Sequence, residues 1–96
     1  MSKKILGIDV AKRKIDCYLI FENKSLANQF DNSPKGFQLL EAWLKSLHIA
    51  EVHACLEATG SYGDGVARFL HDQGHLVSVV NPMSIKGYAK SKMQRE

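Results

Sequence analysis

Ile5-Leu6-Gly7-Ile8-Asp9-Val10-Ala11-Lys12-Arg13-Lys14-Ile15-Asp16-Cys17-Tyr18-Leu19-Ile20-Phe21 is the stretch that decides the fold. Ile5 to Val10 reads as a central strand, apolar on both faces. Ile15 to Phe21 is rich in β-formers and partly alternating, so it reads as a second strand. The link Ala11 to Lys14 is short enough for a hairpin. Glu22-Asn23-Lys24 is a turn, and Ser25 to Phe30 alternates as a third strand. Three consecutive strands on short loops predict an antiparallel meander.

Beyond the meander the periodicity changes. Asn32-Ser33-Pro34 is a helix start, a capping residue followed by proline at the first helical position. Phe37, Leu40, Trp43, Leu44 and Leu47 follow at helical spacing, which predicts a helix to about Ser46. Val52 to Leu56 reads as a fourth strand, Val66, Phe69 and Leu70 mark a second helix, and Gly74 stands where a glycine C-cap belongs. His75 to Val80 reads as a fifth strand, and Asn81-Pro82 opens a basic, weakly amphipathic segment from Met83 to about Lys90. The order β-β-β-α-β-α-β-α predicts an α/β fold with a mixed five-stranded sheet and helices on its faces.

Composition narrows the class without naming a reaction. The 96 residues allow one small domain, and the net charge of +3 leans weakly towards a polyanionic partner. Basic residues gather around Asp9 (Lys3, Lys4, Lys12, Arg13, Lys14) and in the tail (Lys86, Lys90, Lys92, Arg95); as charge runs they read first as solvated surface. Cys17 and Cys55 have no metal spacing and read as reduced, buried small hydrophobes. No apolar run reaches membrane-spanning length and none suits a signal sequence, so no membrane is expected and the compartment expected is the cytoplasm.

The chemistry-bearing residues are two carboxylates. Asp9 and Glu57 each end an apolar run, and parallel neighbouring strands would set both at the carboxyl end of the sheet, where open α/β sheets carry their sites. Two nearby carboxylates repel unless a cation joins them, and hard divalent cations take oxygen ligands. Either acid alone reads as a cap or a solvated strand end. A two-metal nuclease needs about three or four acidic ligands, and Asp16, Glu22, Asp31, Glu41, Glu51, Asp64 and Asp72 read as exposed strand, turn or helix-surface positions. His48, His71 and His75 read as surface, and His53 as pointing outward from a strand.

Three stretches together resemble a known family. Gly7-Ile8-Asp9-Val10-Ala11-Lys12 resembles the opening of the DEDD transposases of bacterial insertion sequences, the group that includes pilin-gene invertases. Glu57-Ala58-Thr59-Gly60-Ser61-Tyr62 resembles their second acidic motif, and Val79-Val80-Asn81-Pro82 with Lys86-Gly87-Tyr88-Ala89-Lys90 resembles their third landmark. The resemblance implies a RuvC-like, ribonuclease-H-type fold, with Asp9 and Glu57 as the first two of four catalytic acids that bind Mg²⁺ or Mn²⁺. In that family two aspartates follow just past the segment that ends here with Glu96, and members are several times longer. The resemblance thus implies a truncated N-terminal domain, 1–96, with weak metal binding and no strong nuclease activity alone. It further implies DNA as substrate and a structured guide RNA as partner of the full-length protein, and it is compatible with a homo-oligomer. Lys12, Arg13, Lys86, Lys90 and Lys92 are then candidates for contacts with nucleic-acid phosphates.

Two other classes stay open at this point. An actin-type ATPase or sugar-kinase half-domain also starts with a strand and Gly-Ile-Asp, but needs a small polar pair after the acid where Val10-Ala11-Lys12 stands. A non-catalytic nucleic-acid-binding or dimerisation module would leave the acids vestigial and would show an exposed apolar face or edge strand.

Overall fold

The computed structural model describes residues 4–57 and 61–80. Strands β1 (Ile5–Val10), β2 (Lys14–Phe21) and β3 (Lys24–Asp31) precede helix α1 (Pro34–Ser46), followed by β4 (His53–Glu57), α2 (Asp64–Asp72) and β5 (Leu76–Val80). The sheet order is β3-β2-β1-β4-β5. β1 pairs antiparallel with β2 and parallel with β4, and β4 pairs parallel with β5. The meander and the crossovers are as the spacing predicts. The third helical segment predicted from Asn81 onward lies outside the described residues.

Burial alternates along the strands and picks out one face. Leu6, Ile8, Ile15, Cys17, Leu19 and Leu56 are buried there, against Phe37, Leu40 and Leu44 of α1 and Val66 and Leu70 of α2. Each buried Leu or Ile contributes about 1.5–3 kcal/mol. Both described helices therefore lie on the same face of the sheet. On the opposite face β1 offers Ile5, Gly7 and Asp9, and its neighbour β2 offers Tyr18 and Ile20, each about half exposed (50% and 52%).

The turns follow from local chemistry. β2 and β3 are joined through Glu22 and Asn23, both at positive φ (50° and 62°), as a two-residue hairpin turn requires. Ser33 caps α1 by accepting from the Gly36 N–H at 3.2 Å, and Pro34 occupies the first turn. The first turn of α1 packs on the end of β3 so closely that a Cβ at Gly36 would lie 1.9 Å from the Asp31 carbonyl oxygen. Both helices end in the same way. Ile49 N–H donates to Leu44 O and His48 N–H to Lys45 O; His75 N–H donates to Leu70 O and Gly74 N–H to His71 O. These are Schellman closures, with the left-handed position filled by Gly74 (φ 94°) after α2 and by His48 (φ 63°) after α1.

Candidate functional site

The pairing of β1 with β4 runs Ile5↔His53, Leu6↔Ala54, Gly7↔Cys55, Ile8↔Leu56. One step further along both strands stand Asp9 and Glu57, on the face that α1 and α2 leave uncovered. Adjacent strands lie about 4.8 Å apart, so the two carboxylates are neighbours at the carboxyl end of a parallel pair. Asp9 is exposed and Glu57 half-buried. Among the described residues neither takes part in an ion pair.

β2 adds a third acid to this row. Asp9 pairs with Asp16 across the antiparallel ladder, so Asp16, Asp9 and Glu57 sit side by side on three successive strands. Asp16 reads from the sequence alone as a plain exposed strand position. The hairpin register is the signal that would have found it, since Val10 pairs with Ile15 and Asp9 with Asp16 about a turn centred on Lys12 and Arg13. Gln29 Nε2 donates to Asp16 Oδ1 at 2.8 Å. Like charges placed directly opposite on a ladder are destabilising.

The donor set fits a hard divalent cation in kind, because both acids offer oxygen on the face that the two described helices leave uncovered. It is sparse in number. Among the described residues no group of three or more His, Cys, Asp or Glu is arranged to hold a metal ion. Lys12 and Arg13, in the turn after Asp9, are exposed at this same end. Lys86, Lys90 and Lys92 lie outside the described residues.

Two histidine and acid assignments change. His75 is buried (3% exposed), not at the surface, and Glu41 is buried (8%) on α1. Val52 N–H donates to His75 Nδ1 at 3.1 Å, so the imidazole proton sits on Nε2, which donates to Glu41 Oε1 at 2.8 Å. This chain of bonds ties α1 to the segments entering β4 and β5. It follows from Gly74, whose cap turns the next residue inward. His53, exposed as expected, meets Ser78 across the ladder at 2.7 Å. His48 and His71 are exposed. Cys17 is fully buried, and burial, with the nearby Asp16 charge, pushes its thiol up to about 12; Cys55 is half-buried and burial raises it too.

Comparison with known proteins bears on both the fold and the family. RuvC of T. thermophilus, in complex with Holliday junction substrate, matches with a TM-score of 0.62 at 12% identity, over 88% of this chain and 68% of that one. A Bacteroides thetaiotaomicron protein with an actin-like ATPase fold and unknown function matches with a TM-score of 0.59 at 21% identity, over 79% of this chain and 32% of that one. At such identities both speak for the fold alone, and the fold is RuvC-like, of ribonuclease-H type. Sequence is more discriminating. The pilin gene-inverting protein of Moraxella bovis is 39% identical over 93 residues, 95% of this chain, and the chain spans 29% of the length of that relative. The family model for DEDD transposases of the IS110 type, described as transposase, matches residues 6–96. With nearly its whole length inside that match, the chain belongs to the DEDD transposase family.

Proposed function

We propose that residues 1–96 form the N-terminal part of a RuvC-like catalytic domain that rearranges DNA, and that Asp9 and Glu57 hold a divalent cation, Mg²⁺ or Mn²⁺, against a nucleic-acid phosphate. The observation that carries this reading is the parallel pairing of β1 with β4, whose register carried one step past Ile8↔Leu56 sets Asp9, the next-to-last residue of β1, beside Glu57, the last of β4, on the face that α1 and α2 leave uncovered. A bound cation supplies Lewis acidity and neutralises phosphate charge. The protein's own part is to hold the two carboxylates rigidly at adjacent strand ends and to set Lys12 and Arg13 beside them, where they attract a phosphate backbone. Lys86, Lys90 and Lys92 belong to the same proposal as backbone contacts.

DNA is the substrate in this reading because the chain shares its family with transposases and with a relative named for inverting a gene. The structured guide RNA and any homo-oligomer belong to the full-length protein. The compartment proposed is the bacterial cytoplasm, where that DNA lies; among the described residues no helix is long and apolar enough to cross a membrane. Two carboxylates fall short of the three or four that a two-metal site needs, so the isolated chain binds the cation weakly and cleaves DNA poorly.

The test is Mn²⁺ titration of the isotopically labelled protein by NMR. Paramagnetic broadening centred on Asp9 and Glu57, abolished in Asp9→Ala and Glu57→Ala, is expected. Broadening spread over surface acids, or unchanged by both substitutions, removes the metal assignment. A second reading, an assembly module with vestigial acids, is favoured by the half-exposed Tyr18 and Ile20 on the face that α1 and α2 leave uncovered. Concentration-dependent sedimentation with no Mn²⁺ effect would support it.

A further inference from the structure

Asn32 sits between β3 and α1, and neither the family motifs nor the acid row includes it. Its side-chain Nδ2 donates to Ala11 O at 2.8 Å and to Tyr62 O at 3.0 Å. Ala11 lies two residues past Asp9, and Tyr62 lies in the first described turn past Glu57. One amide group thus uses both of its protons to join the loop leaving β1 to the loop leaving β4. Both partners are carbonyl oxygens, so only the NH₂ side of the amide can face them.

The position of that amide is over-determined. The Asn32 backbone N–H donates to Arg13 O at 2.8 Å, which ties it to the β1–β2 turn. On its other side Ser33 caps α1, and Gly36 is pressed onto Asp31. The far loop is seated as firmly. A Cβ on the buried Gly63 would lie 3.0 Å from Leu56 Cδ1 and 3.8 Å from Val10 Cγ2, so the turn after Tyr62 rests on the residues next to Glu57 and Asp9. Aspartate here would place oxygen against two carbonyl oxygens, and serine has one donor for two acceptors.

We infer that Asn32 is a positioning residue that locks the loop after β1 to the loop after β4 and so sets the separation of Asp9 and Glu57. The consequence for metal binding rests on the function proposed above; the lock itself does not. A carboxylate pair whose loops drift must be reorganised by the cation, at a cost in affinity.

The experiment has a metal-free arm and a metal arm. Without metal, the wild-type protein is expected to show NOEs from the Asn32 Nδ2 protons to Ala11 and Tyr62. Amide exchange in residues 11–13 and 62–64 is expected to rise about tenfold in both Asn32→Ala and Asn32→Asp. With metal, Mn²⁺ is expected to bind about tenfold more weakly in Asn32→Ala, while Gly74→Ala, which loosens the fold at the far end of α2, keeps the wild-type dissociation constant. Missing NOEs in the wild type, or exchange unchanged in both variants, overturns the lock. Mn²⁺ affinity within twofold of wild type in Asn32→Ala, or an equal loss in Gly74→Ala, overturns the control of the Asp9–Glu57 separation by Asn32. If the wild-type protein shows no Mn²⁺ effect at Asp9 and Glu57 while the metal-free arm behaves as expected, the metal assignment fails and the lock stands.

Discussion

Replacing Gly36 by alanine sets two effects of opposite sign against each other. In a helix, alanine is favoured over glycine by about 0.5–1 kcal/mol. At this site the new Cβ would lie 1.9 Å from Asp31 O, 2.7 Å from Asp31 C and 2.9 Å from Asp31 N, all backbone atoms that cannot rotate away. Relief requires the end of β3 and the first turn of α1 to separate by more than an ångström. That movement strains the Ser33 cap at 3.2 Å and the Asn32 N–H bond to Arg13 O at 2.8 Å. Overpacking costs about 1–3 kcal/mol, and a lost cap or backbone bond about 1 kcal/mol each. The net expectation is a destabilisation of about 2–4 kcal/mol, or roughly 10–20 °C in Tm for a domain of this size. Urea unfolding followed by far-UV circular dichroism measures it. Gly74→Ala is the control: φ is 94° and nothing lies within 4 Å, so only the backbone term of about 1 kcal/mol applies. Stability equal to or above wild type in Gly36→Ala would refute the close approach of α1 to β3.

Three further outcomes can be checked on the same protein. His48→Gly relieves the left-handed strain at the end of α1 and should raise stability by about 0.5–1 kcal/mol in urea unfolding; no gain would mean that the His48 side chain has a stabilising contact of its own. Glu41→Gln keeps an acceptor for the His75 Nε2–H and should cost under about 1 kcal/mol, whereas Glu41→Leu strands that proton and should cost about 1–3 kcal/mol; equal losses would show that the bond is not what matters. The Cys17 thiol stays neutral in the folded protein up to about 12, whereas in the unfolded chain it ionises from 9.0, so its contribution is intact below pH 9 and is lost as pH rises from 9 towards 12. Stability relative to Cys17→Ala should therefore fall by about 1.4 kcal/mol per pH unit above 9; parallel curves for the two proteins would contradict this.

Much of the architecture is legible from periodicity. β1 and the first helix have the bounds that alternation and capping predict, because Ser33-Pro34 and the run of apolar residues from Phe37 carry local information. β4 and β5 begin one residue later than read, since the Schellman closures and the turn into β4 absorb Val52 and His75. Asp9 and Glu57 are legible as carboxylates at the carboxyl ends of their strands, although β1 runs one residue past Asp9 to Val10. Asp16 is not, because its place beside Asp9 is a matter of register, and register depends on the length of a turn. His75 and Glu41 are polar residues made buried by a bond between segments distant in the chain, which no local pattern encodes. Asn32 reads as part of a helix start, and its actual partners, Ala11 and Tyr62, are likewise remote.

The parallel pairing of β1 with β4 also bears on the order of folding. β1 reaches β2 through a short turn, a local contact, whereas its pairing with β4 spans β2, β3 and α1 in the sequence. Contacts of that separation carry the larger loop-closure cost, which must be met before they stabilise anything. Asp9 and Glu57 are therefore brought together only by the pairing of β1 with β4. A nascent or partly unfolded chain holds the two acids apart, and the pair arises as a property of the finished fold.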